Sequence, residues 1–188
     1  LDSAKIDAKR THTPRDALYC ILTGMRQRVL VLLPRIPYPA RDGAEVVMSQ
    51  TLDHLVKSDC DVDVFTLNPS RQRRTPELLN SGVRRADHAD IDTGVRLTSL
   101  LWRLLFPENV ELNGTTTVVS YWLSRFINAH ALERLQRFVE KNGPYDVIHC
   151  ETLFTAHYGL AVNADAAVLR SHNVEWKIQD SLAREKGA

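Results

Sequence analysis

Three short stretches of the chain combine residue types that can bind and orient an oxygen-rich ligand. The first is Tyr38–Gly43, YPARDG; the second is His149–Glu151, HCE; the third runs from Ser171 through His172 and Asn173 to Glu175. Histidine offers a neutral acceptor or a charged donor near neutral pH, and carboxylates accept the hydrogens of sugar hydroxyls. Gly43 has no Cβ, so a phosphate or sugar can approach its backbone closely. Taken singly, each residue more often serves as a cap or a core group. Asn173, for example, suits the N-cap of a following helix with Glu175 in its first turn. Convergence on one edge of a sheet is what would turn them into a site.

The elements that must supply that edge are legible in the hydrophobic pattern. Val29–Leu33, VLVLL, is an apolar run suited to a strand buried on both faces of a parallel sheet. Pro34, Pro37 and Pro39 exclude helix and central strand, which makes Pro34–Asp42 a stiff loop. Apolar residues then recur at Val47, Met48, Leu52, Leu55 and Val56, the spacing of a helix over Ala44–Ser58. A helix beginning near Gly43 presents unpaired amides and partial positive charge to an anion. Asp61–Leu67, DVDVFTL, reads as the second strand of a right-handed βαβ unit. Neither GxGxxG nor GxxxxGK[ST] occurs.

Further along, a short third strand is expected near Val83–Ala86. A Leu/Trp-rich helix at Leu97–Phe106 follows, stopped by Pro107, and then a loop over Glu108–Thr117. Ser120–Asn142 reads as helix with a break near Asn128, ended by Asn142-Gly143-Pro144. Tyr145–His149 and Ala166–Arg170 read as strands, Ala156–Val162 and Glu175–Lys186 as helices. The predicted fold class is α/β, a doubly wound, mostly parallel sheet with helices on both faces. In such sheets the crevice outside the carboxyl ends of the strands is where ligands sit.

Composition narrows the classes. The chain has 188 residues, 44% hydrophobic and 25% charged, enough for one well-buried domain. A net charge of +1 argues against nucleic acid as a partner. Cys20, Cys60 and Cys150 are widely spaced and form no zinc-like pair, so reduced structural thiols are expected. Residues 1–24 are polar, and the folded domain is expected to occupy 25–188, with 1–24 an upstream extension. Arg71, Arg73, Arg74, Arg84 and Arg85 read as a solvated surface or, alternatively, as contacts for an anionic acceptor or acidic lipid headgroups. Leu97–Phe106 is expected to pack on the sheet; its alternative role is peripheral membrane contact.

PRIPYPARDGAEVVMSQTLDHLVKSDCDVDVFTLNP, YDVIHCE and LRSHNVEWKI, in that order, resemble the amino-terminal domain of retaining GT-B glycosyltransferases of the group 1, family 4 type. The resemblance spans roughly Val29 to Glu185, with nothing diagnostic between about 70 and 120. It implies a Rossmann-like acceptor-side domain, with Asp42 and Gly43 near the donor diphosphate and His172 facing the acceptor or transferred sugar. Glu151 and His172 would be the catalytic-centre residues, and Tyr38, His149, Asn173 and Glu175 would contact substrate. Many members carry a second histidine where this chain has Glu151, and two adjacent glycines where it has Asp42-Gly43. They also place a spaced glutamate pair in a second, donor-binding domain, and no such pair occurs here. The implied donor is a nucleotide-diphosphate sugar and the implied acceptor a carbohydrate or lipid-linked hydroxyl. No cofactor or metal is implied, and the location is cytoplasmic, at or near the inner membrane face. By this reading the chain alone is folded but inactive.

Two other classes fit parts of the pattern. A stand-alone flavodoxin-like or receiver-like module shares the fold, though a receiver wants paired acids where Pro34-Arg35 follow the first strand. A protein-interaction domain would use the arginine and Leu/Trp surfaces. A nucleophilic hydrolase is disfavoured, since GxSxG is absent.

Overall fold

The structure, a computed structural model, describes residues 26–58, 60–75, 82–94, 109–112, 115–118, 123 and 125–171. Strand β1 is Arg28–Leu33, helix α1 Gly43–Lys57 and strand β2 Asp61–Pro69, followed by a 3-10 turn at Ser70–Gln72. Strand β3 is Arg85–Ile91, and β4 (Asn109–Leu112) pairs with β5 (Thr115–Val118). Helix α2 (Ala129–Asn142), strand β6 (Tyr145–Glu151), helix α3 (Leu153–Leu160) and strand β7 (Ala164–Arg170) complete the order. The five long strands form one parallel sheet, β3-β2-β1-β6-β7; β4 and β5 pair antiparallel in a separate sheet. This is a Rossmann-like, doubly wound α/β fold.

Alternation along β1 divides the core between two layers. Val29, Val31 and Leu33 pack on Met48 and Leu52 of α1. Leu30 and Leu32 turn the other way and meet Leu135 and Phe138 of α2 and Tyr158 of α3. Burying one such aliphatic side chain contributes roughly 1.5–3 kcal/mol, so the β1 run anchors both layers at once. Gly159 lets α3 close on β6, because a Cβ there would collide with the Cys150 sulfur. Burial pushes the Cys150 thiol up to about 11.

Several boundaries differ from the sequence-based expectation. The third strand lies at Arg85–Ile91 rather than Val83–Ala86, and Asn109–Leu112 and Thr115–Val118 are paired strands within the stretch Glu108–Thr117 and its edge where a loop was expected. The break expected near Asn128 is where α2 starts at Ala129, the Asn128 side chain accepting from the Ala131 N–H as N-cap, while residues 119–122 and 124 of the expected first part lie outside the described residues. Helix α3 starts three residues before Ala156, and β6 runs two residues beyond His149. One of the arginines is not solvated: Arg74 is a buried partner of Glu45. Arg84 stays at the surface while its fork closes on the fully buried Asp63 at 2.6 and 2.9 Å. The helices expected at Leu97–Phe106 and Glu175–Lys186, residues 1–24 and Cys20 lie outside the described residues.

Candidate functional site

Chain direction in the sheet fixes where a ligand crevice opens. From β1 the chain builds outward through β2 to β3; β6 then lies against the other side of β1 and is followed outward by β7. Connections therefore leave β1 and β6 in opposite directions, and the gap between their carboxyl ends is the topological switch point. Leu32 is level with Cys150 in the β1–β6 ladder, so the last residues, Leu33 and Glu151, end side by side. The β1–α1 loop rises on one side of this gap and the β6–α3 junction on the other.

The β1–α1 side is rigidly built. Asp42 is the N-cap of α1, its carboxylate accepting the Glu45 N–H at 2.9 Å, and the Glu45 carboxylate returns to accept the Arg41 N–H at 2.7 Å. This reciprocal arrangement comes from the D-x-x-E spacing, a capping box shifted by one residue. Glu45 is 2% exposed, and both its carboxylate oxygens also accept from Arg74 Nη2, at 2.8 and 2.9 Å. Arg74 in turn donates to the Pro39 carbonyl at 2.7 Å, which ties the loop to the exit of β2. Arg35 reaches the Asp42 carboxylate at 2.7 Å. Burial opposes ionisation of Asp42, but the helix-end N–H groups and Arg35 outweigh it and hold the carboxyl below its ordinary value. The anion expected at the helix tip is thus represented by the chain's own carboxylate.

Gly43 is exposed, its backbone is not left-handed, and a Cβ placed on it would meet nothing within 4 Å. Neither turn geometry nor packing requires glycine at this position. Tyr38 packs partly into the α1 layer and its hydroxyl stands 3.4 Å from Asp53, so it supports the loop from below.

On the opposite side, His149 and Glu151 are residues i and i+2 of β6 and share the face that α1 covers. Both belong to the strand itself, not to a loop beyond it. His149 Nε2 lies 3.0 Å from Glu151 Oε1; a ring that donates to the carboxylate through Nε2 has Nδ1 as its acceptor in the uncharged form. Glu151 is fully buried and its carboxylate lies 3.7 Å from Arg170, the residue opposite it at the end of β7. The same guanidinium donates to Thr51 Oγ1 of α1, so one arginine links the helix wall to the acid at the foot of the crevice. A buried, doubly partnered carboxylate acts by orienting His149 and Arg170. It has no open lone pair facing solvent as a base would need.

One residue at this edge escaped the sequence reading. Thr152, joining β6 to α3, has φ 70° and ψ 162°, a conformation rare for a β-branched side chain. Its N–H donates to the Arg170 carbonyl at 2.9 Å, while its buried Oγ1 has no hydrogen-bond partner. A threonine before a helix reads as an ordinary N-cap, and nothing in residue type announces the strain. Asp42, Gly43, His149 and Glu151 are therefore brought to one edge. His172, Asn173 and Glu175 lie outside the described residues.

Among the described residues no group of three or more His, Cys, Asp or Glu could hold a metal ion, and no helix is long and apolar enough to cross a membrane. No protein-family model, curated protein or solved structure matches the chain.

Proposed function

We propose that this chain forms the acceptor-side, amino-terminal half of a retaining GT-B glycosyltransferase. The reaction is transfer of a sugar from a nucleotide-diphosphate donor to a hydroxyl of a carbohydrate or lipid-linked acceptor. The observation that carries the reading is the open space in front of Gly43 at the switch point, opposite the His149–Glu151 pair. A glycine that the backbone does not require, at a helix start facing a crevice, accommodates close approach of a phosphate or sugar ring. Arg35 stands beside that position paired with Asp42 and Glu45, so a leaving diphosphate would share this cation and the helix end with the chain's own carboxylates. His149, held in one tautomer by Glu151, offers a hydroxyl an acceptor at Nδ1.

Titrating a nucleoside-diphosphate sugar into the isotopically labelled chain tests the reading. Weak saturable binding, with Kd of about 1 mM, should shift the amides of Asp42–Glu45 and His149–Leu153. Shifts confined to other surfaces, or micromolar affinity in this chain alone, would count against a half-site completed by a second domain.

A further inference from the structure

A second concave surface lies at the opposite end of the sheet. Helix α2 runs back toward the amino-terminal ends of the strands, and its last turns stand beside the start of β3. Between them is a groove of about 720 Å3, within the size range of small-molecule sites. Arg134, Arg137 and Lys141 recur at i, i+3 and i+7, so they form one stripe of α2 along the groove wall, and Arg85 faces them from β3. The lining contains one carboxylate, Asp87, which Arg134 already engages at 2.6 and 3.2 Å. Four cations against one acid leave a local charge of +3 in a chain whose total is +1.

These cations are unevenly committed. Arg85 is half-exposed and lies 3.9 Å from Asp63, its nearest acid, a marginal ion pair. Arg137 spends one N–H on the Glu133 carbonyl of its own helix at 3.3 Å and keeps the rest of its fork. Lys141 stands exposed in the last turn, where its charge also suits the helix dipole. Glu133 and Glu140 belong to the same helix but do not line the groove. Phe138 gives it an apolar floor. Guanidinium forks converging with an ammonium over such a floor match a compact, multiply charged oxyanion better than a flat surface.

We infer that the groove between β3 and α2 binds a small soluble ligand carrying two or more phosphate groups, at a site separate from the switch-point crevice. The inference stands whether or not the chain belongs to a glycosyltransferase. Pyrophosphate is the probe. Its titration should give saturable shifts at amides 85–87 and 134–142, with orthophosphate binding about tenfold more weakly for want of the second charged group. The exposed pair Arg137→Gln with Lys141→Gln should weaken pyrophosphate by about tenfold or more at unchanged thermal midpoint. Arg71→Gln with Arg73→Gln, on the exposed turn after β2, should leave affinity as it was. Arg137→Lys, which keeps the charge, should fall in between.

Three results would overturn the inference: no saturable shift at these amides, equal affinity in the Arg137/Lys141 variant, or binding only to anionic lipid vesicles. Because the nucleotide-sugar crevice is read at amides 42–45 and 149–153, failure of either site shows in its own set of signals.

Discussion

At the scale of single residues, Thr152 is where the fold departs furthest from what its sequence would choose. A β-branched residue at positive φ costs of order 1–3 kcal/mol, and its hydroxyl recovers none of this through a hydrogen bond. Thr152→Gly should therefore raise stability by about 1 kcal/mol in urea denaturation, after allowing for the greater chain entropy of glycine. A loss of stability would mean the backbone there is not strained. Residue chemistry was partly readable beforehand. Asp42, Gly43, His149 and Glu151 stood out because acids, imidazoles and an isolated glycine clustered next to apolar runs. The role of Glu151 was not readable, since only the Glu151–Arg170 register turns a loop-like acid into a buried strut.

Helix α3 carries the pH response expected of an element packed by its polar residues as well as its apolar ones. Both ring nitrogens of His157 are buried without a partner, and burial pushes the imidazole down to about 4. The unfolded chain takes up a proton near the ordinary value of 6.5, whereas the folded chain refuses it until about 4. Stability from this group is complete above 6.5, declines as pH falls through that window, and declines no further below it. Thermal or urea unfolding compared at several pH values should show His157→Phe reducing the slope by about one proton between those limits. An identical slope in the variant would place the titrating group elsewhere. Element boundaries were the weakest part of the sequence reading, for identifiable reasons. The break expected near Asn128 falls where that residue caps α2, but the apolar spacing that continues across it does not show how far helix extends before it. The alternation of aspartate with valine in β2 does not show that Asp63 is fully buried, which Arg84 and the Tyr145 hydroxyl allow.

Across the whole molecule, the parallel sheet was legible because VLVLL, YDVIH and AAVLR are short apolar runs that match no amphipathic helix. Strand order was not, since it depends on β6 returning beside β1. That return creates both the switch point and, at the far end of α2, the basic groove. The strands thus divide the polar surface into two ends with different chemistry: a helix start, a histidine and strained backbone at one, converging cations at the other. Gly43 isolates the chemistry of the first end, because a methyl group fits there without touching the fold. The decisive measurement is unfolding stability and nucleotide-sugar titration of Gly43→Ala beside the parent chain. Stability should hold or rise by up to about 1 kcal/mol, since alanine is the better helix former, while the response of amides 42–45 and 149–153 weakens by about tenfold through lost close approach. An undiminished response in Gly43→Ala would reduce this glycine to an ordinary helix residue and remove the basis for a ligand crevice at the switch point.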